Sequence, residues 1–181
     1  MSSHLSTHPP LNATATHAPD RDADLISYRD IPDHAKMKTI TQILQESKIV
    51  AVVGLSNKPD KPSYGVAEYL QENGYRVVPI NPTYAGGKIL GETVYASLQD
   101  AADALAVHGG RIDIVDCFRK SEDIPPLAKD AIAVRASCLW MQLGIENQAA
   151  ADLARAAGLE VVMNRCIKIE HRELNAVPKG D

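Results

Sequence analysis

At 181 residues the chain has the length of one ordinary domain, long enough to bury a full core. Hydrophobic residues make up 45% and charged residues 23%, a balance that points to a soluble globular protein. The formal net charge of -4 argues against a general nucleic-acid or anionic-membrane partner, and no apolar stretch approaches the roughly 18 residues that a bilayer span requires.

Residues 1–33 are mostly Ser, Thr, His, Pro, Ala and Asp, with little to bury, and are expected to form a disordered tail. His4, His8 and His17 lack the fixed spacing of metal ligands and read as part of that tail. The opening MSSHLSTHPP has no apolar core of a secretory signal, and the next ten residues add no Lys or Arg of a transit peptide. The three widely spaced cysteines, Cys117, Cys138 and Cys166, include no CxxC pair. A reduced, cytoplasmic setting without structural zinc is therefore expected.

The folded domain is expected over 34–175, followed by a short tail at 176–181. From His34 to Ser47, apolar Met37, Ile40, Ile43 and Leu44 fall at helical spacing. Strand patterns follow at 48–53, 76–80, 112–117, 137–141 and 160–163, with helical patterns at 64–73, 121–134 and 146–157. Asn73-Gly74 and Ala157-Gly158 have the chemistry of helix C-termini. Apolar strands alternating with helices predict an α/β fold, a Rossmann-like parallel sheet flanked by helices in a single domain. In such sheets a ligand sits beyond the carboxyl ends of the strands, near the point where strand order reverses. The segments 54–65, 79–91, 117–120, 140–146 and 164–168 therefore carry the candidate site.

In the first of these, Gly54 permits a tight bend, Ser56 offers a hydroxyl, and Ser63 stands as a helix N-cap before Tyr64-Gly65. A helix starting there aims N–H groups and a positive dipole end at the turn, with Lys58 and Lys61 nearby. The second and third glycines of a dinucleotide fingerprint are missing: Ser56 and Pro59 stand in their places. The second strand ends in Pro79-Ile80-Asn81-Pro82, without the carboxylate that holds the adenosine ribose of NAD. Lys88 follows in a polar, glycine-containing segment. A neutral or cationic rim suits a phosphorylated ribose, which leaves NADP and coenzyme A as the two ligands the residues allow.

Six blocks then carry a resemblance. They are Gly54-Leu55-Ser56 with Pro62-Ser63, GYRVVPINP (74–82), ILGETVYASL (89–98), VDCFR (115–119), LWMQLGI (139–145) and MNRCIKIEH (163–171). Over about residues 38–174 the chain resembles the small stand-alone coenzyme A-binding proteins, whose domain is similar to that of the succinyl-CoA synthetase alpha subunit. The resemblance implies coenzyme A lying across the strand ends. Gly54 and Ser56 would face the diphosphate, and Asn81 and Pro82 would border the adenosine. Trp140, Met141 and Gln142 would run along the ligand. With Lys58, Ser63, Tyr64, Pro79, Lys88, Phe118 and Arg119, these complete the expected binding set. Relatives often carry Lys or Arg directly after the Asn-Pro pair, where this chain has Thr83-Tyr84. Lys88 or Lys58 would then serve the ribose phosphate.

No catalytic residue is expected, because the sequence has neither a nucleophile elbow nor a paired carboxylate motif. Glu170, His171 and Glu173 read as helix-surface charges, His108 as an exposed turn residue, and Cys117 and Cys138 as core. Cys166 precedes a helix between Arg165 and Lys168, a setting that favours a thiolate, though a packed structural cysteine is the simpler reading. The sequence thus predicts a module that binds coenzyme A or a short acyl-CoA without turnover. The alternatives are a small NADP-dependent oxidoreductase and a redox or acyl sensor acting through Cys166.

Overall fold

A computed structural model describes residues 37–176. The N-terminal tail expected over 1–33 and the end of the chain beyond 176 lie outside the described residues. Residues 37–176 belong to one compact unit.

Helix α1 (Ile40–Glu46) begins where Thr39 and Gln42 cap each other reciprocally, each side chain accepting from the other's backbone N–H. Strand β1 (Ile49–Val53) follows and is almost entirely buried. Helix α2 (Pro62–Glu72) has Pro62 in its first turn, where a missing N–H costs nothing, and it ends at Asn73-Gly74. Strand β2 (Arg76–Ile80) returns beside β1. A small antiparallel hairpin of β3 (Lys88–Ile89) and β4 (Glu92–Thr93) comes next. Helix α3 (Leu98–Ala106) is capped by the Ser97 hydroxyl, which accepts from Asp100 N. Then come β5 (Ile114–Cys117), α4 (Ile124–Ala133), β6 (Cys138–Met141), α5 (Gln148–Ala156), β7 (Glu160–Val162) and α6 (Ile167–Ala176).

The main sheet is five-stranded and parallel, in the order β2-β1-β5-β6-β7. Helices cover both faces, as the apolar strands require. Period-two alternation divides the core in two. Val50, Val52, Ile114, Cys138 and Trp140 pack under α1, α2 and α6. Ala51, Val53, Val115, Cys117, Leu139 and Met141 pack under α3, α4 and α5. Pro79 is tolerated because β2 is an edge strand of the sheet, its outer side bridged by Tyr95 of the neighbouring loop, whose N–H donates to Pro79 O.

All five sheet strands fall where the apolar runs placed them, within two residues. The sequence reading did not include α3 or the hairpin. Helix α3 buries only Leu98, Ala101 and Leu105 from a short alanine-rich segment, so its apolar stripe is thin. The two-residue strands of the hairpin are too short to show alternation. No helix among the described residues is long and apolar enough to cross a membrane.

Candidate functional site

Strand order reverses between β1 and β5, because β1 leads outward to β2 and the chain then returns to place β5 on its other side. The crevice expected of such a fold opens where these two strands end. Its wall is the turn after β1. Gly54 has φ +85, a conformation in which a side chain is strained. A Cβ built there would stand 2.5 Å from the carbonyl oxygen of Phe118 and 3.1 Å from Cδ of Arg119. The close approach that Gly54 allows is thus used by the loop after β5. Hydrogen bonds from Gly54 N to Ile80 O and from Phe118 N to Val53 O, both 2.9 Å, lock the ends of β2, β1 and β5 together.

The serines wind this turn rather than stand free. Ser63 Oγ accepts from Ser56 N, and Ser56 Oγ accepts from Lys58 N, each at 3.1 Å. Ser63 is buried and lies inside α2. It is not the N-cap that the sequence suggested. That place belongs to Lys61, which makes no side-chain cap, because Pro62 fixes the helix start two positions earlier. The first turn is also less open than expected: Tyr64 N and Gly65 N donate to Lys61 O, and Pro62 has no N–H. The Ser63 N–H remains as a first-turn donor, with the dipole of an eleven-residue helix behind it. Tyr64 is half-buried against the core beneath.

Asn81 ties the second strand to this turn. Its Nδ2 donates to Leu55 O and its Oδ1 accepts from Thr83 N, both at 3.0 Å. Pro82 begins an exposed 3-10 turn, Pro82–Tyr84. Among the described residues β2 ends in Ile80-Asn81 without a carboxylate. Lys58, Lys61, Lys88, Arg119 and Lys120 are all exposed cations, with Lys88 out on the hairpin. Arg119 holds Asp123 only loosely, at 3.8 Å with both groups half in solvent, which leaves the guanidinium available to an anion. Phe118, Arg119, Lys120, Glu122, Asp123 and Ile145 line a groove of about 600 Å³ beside the turn.

The stretch after the fourth sheet strand differs from expectation. Trp140 and Met141 have no exposed surface, and they pack on opposite faces of the sheet. Trp140 Nε1 donates to Arg165 O at 2.7 Å. A strand residue within a covered sheet points into the core, so these two side chains serve packing and only the loop beyond them reaches the crevice. Gln142 is also buried, and its Nε2 donates to Asp116 Oδ1 at 2.7 Å. Sequence reasoning missed Asp116. Its signal was a lone acid within the apolar run Ile114-Val115-Asp116-Cys117.

His171 is buried as well, not a helix-surface group. Its Nδ1 lies 3.0 Å from the Tyr69 hydroxyl, its ring meets Tyr69 and Tyr75 edge-on, and burial pushes its pKa down. It lines a second groove of about 790 Å³ with Lys48, Asn73 and Tyr75. That groove lies where β1 and β2 begin, away from the strand ends that the fold uses for ligands. Cys117 and Cys138 are core residues, and burial pushes both thiols up. Cys166 is half-buried at the start of α6. The cations flanking it are engaged elsewhere: Arg165 with Glu170 at 3.0 Å, Lys168 over the Tyr69 ring. Among the described residues no cluster of His, Cys, Asp or Glu is placed to hold a metal.

A five-stranded parallel sheet flanked by helices, with a glycine turn at its switch point, defines a Rossmann-like class of domain. The chain belongs to the CoA binding domain family, whose model matches residues 48–172. It is 38% identical over 140 residues to uncharacterized protein YneT of Bacillus subtilis, an alignment covering 77% of this chain and 95% of that one. The fold is shared with a solved structure from Thermus thermophilus at 32% identity and TM-score 0.68, covering 76% of this chain and 99% of that one. A hypothetical protein from Pyrococcus horikoshii is similar at 36% identity and TM-score 0.68, covering 76% of this chain and 90% of that one.

Proposed function

We propose that this protein binds coenzyme A or a short acyl-CoA in the β1/β5 crevice and acts as a binding module without turnover in the cytoplasm. The observation that carries the reading is the end of β2. The ribose side of the crevice is closed by Asn81, whose amide is engaged with Leu55 O and Thr83 N. No acid stands there to favour a free 2′-hydroxyl or to repel a ribose phosphate. Family membership supports coenzyme A over NADP.

In this reading the diphosphate lies over Gly54–Ser56, drawn by the α2 dipole and by Lys58 and Arg119. Asn81 and Pro82 border the adenosine, and Lys88 or Lys58 meets the ribose phosphate. The pantetheine arm leaves along the groove between Phe118 and Ile145. Trp140 and Met141 act from beneath by holding the strand that carries the Gln142 loop.

Isothermal titration of the full chain with coenzyme A, acetyl-CoA, NADP and NAD tests the assignment. Binding of the two coenzyme A species at least tenfold tighter than either dinucleotide is expected. Tighter binding of NADP, with no heat from coenzyme A, would overturn it and favour a small oxidoreductase.

A further inference from the structure

Asp116 is the third residue of β5, in register with Val52 and Trp140, so its side chain joins the face covered by α1, α2 and α6. It has no exposed surface. Gln142 donates to Oδ1, and Oδ2 has no hydrogen-bond partner among the described residues. An ionised carboxylate offers about four acceptor sites, so one donor leaves most of a buried charge uncompensated. Burial accordingly pushes the pKa up to about 7, with the Gln142 hydrogen bond working in the other direction.

The group is also wired to the crevice. Gln142 O accepts from Ile145 N at 2.9 Å, and Ile145 lines the groove beside Phe118 and Arg119. Asn164 holds the same loop from the other side, donating to Ile145 O and accepting from Gly144 N. Asp116 lies two residues before Phe118, whose carbonyl meets the Gly54 turn. Next to it in the sheet are the Cys117 and Cys138 thiols, with Glu160 paired to Cys138 from β7. The helices over this face carry Glu46 on α1, Tyr64, Glu68, Tyr69 and Glu72 on α2, and Cys166, Lys168, Glu170, His171, Arg172 and Glu173 on or beside α6. Both strand thiols feel the Asp116 charge, Cys138 after that of Glu160, whereas the carboxyl's own position is set by burial and Gln142.

We propose that Asp116 is the proton-linked positioning residue of this crevice: an anion seated on the 54–56 turn binds with uptake of a proton at Asp116, and Gln142 transmits the change to the Ile145 wall. The choice of coenzyme A as the anion rests on the reading above. The physical cause is direct. A polyanion brought to the ends of β1 and β5 disfavours a second negative charge buried beneath it, and Asp116 is poised to lose that charge.

The test uses the full chain labelled with 13C at the Asp carboxyl carbons, titrated by NMR between pH 5 and 9, free and with coenzyme A. Calorimetry at pH 7.5 in two buffers of different ionisation enthalpy runs beside it. One carboxyl is expected to titrate near neutrality in the free protein, with the Leu143, Gly144 and Ile145 amides following it, and to move upward with ligand. Affinity falls by up to about tenfold as pH rises through this window. Asp116→Asn removes the titration, the amide response and the proton uptake while still binding. The ligand's own phosphate titration is common to both proteins and cancels in their comparison. An Asp116 that titrates in the ordinary carboxylate range, or proton uptake that persists in Asp116→Asn, overturns the proposal. Absence of any heat with coenzyme A strikes the ligand assignment alone. Inorganic pyrophosphate then serves as the anion, and a midpoint it leaves unmoved overturns the proposal.

Discussion

Replacing Gly54 by alanine puts a methyl group where the Phe118 carbonyl oxygen now rests, at 2.5 Å. Two costs combine. The left-handed backbone at φ +85 costs an L-residue about 1–2 kcal/mol. The clash is with backbone, so no side chain can swing aside. Relief requires the β1 turn and the β5 loop to part, weakening the Gly54 N to Ile80 O and Phe118 N to Val53 O hydrogen bonds. Each of these is worth about 0.5–1.5 kcal/mol net, so Gly54→Ala is expected to lose about 2–5 kcal/mol in all. Gly65→Ala is the control. A Cβ there meets nothing within 4 Å and the residue lies inside α2, so the substitution gains about 0.5–1 kcal/mol. Urea unfolding followed by far-UV circular dichroism reads both. Because the parting strands form the crevice, coenzyme A affinity is expected to fall at least tenfold in Gly54→Ala and to hold in Gly65→Ala. A Gly54→Ala protein within about 0.5 kcal/mol of the parent, or one that binds as well, refutes the claim that this turn and the Phe118 loop are locked together.

Asp116 makes stability depend on pH. Its folded pKa of about 7 lies above the ordinary 3.8, so the stability due to the neutral form is complete below the ordinary value and is lost as pH rises through 7. The span is worth about 4 kcal/mol at 1.36 kcal/mol per unit. Urea midpoints of Asp116→Asn should therefore fall less steeply between pH 5 and 8.5 than those of the parent, and parallel curves would contradict the assignment. Trp140→Ala, which empties a fully buried site and orphans Arg165 O, should cost about 3–5 kcal/mol in the same assay. The conservative Trp140→Phe should retain coenzyme A binding; a Phe variant that is folded but does not bind would show that the indole touches ligand. Arg119→Glu should weaken coenzyme A binding by about tenfold or more while leaving the urea midpoint unchanged, since its pair with Asp123 is long and exposed. Unaltered affinity at low salt would remove Arg119 from the site.

The sheet was legible because each strand is a short apolar run bounded by helix signals, and a parallel sheet covered on both faces demands that pattern. Asn73-Gly74 and Ala157-Gly158 marked helix ends for an equally local reason. The site was less legible, since its geometry depends on what meets across the strand ends. Gly54 stood out as a turn glycine, yet nothing local says that Phe118 occupies the space it leaves. Ser63 carries N-cap chemistry, and Pro62 beside it moved the helix start. Trp140 and Met141 match a family block, but their strand position buries them on opposite faces. Asp116 and Gln142 lie 26 residues apart, and only the pairing of β5 with β6 shows that one satisfies the other.

A crystal structure of the full chain grown with coenzyme A tests the central claim most directly. The diphosphate should lie against Gly54–Ser56 within reach of Lys58 and Arg119, with the adenosine beside Asn81 and Pro82. A ligand seated instead in the groove of Lys48, Tyr75 and His171, or a strand-end crevice that stays empty at saturating ligand, would contradict it.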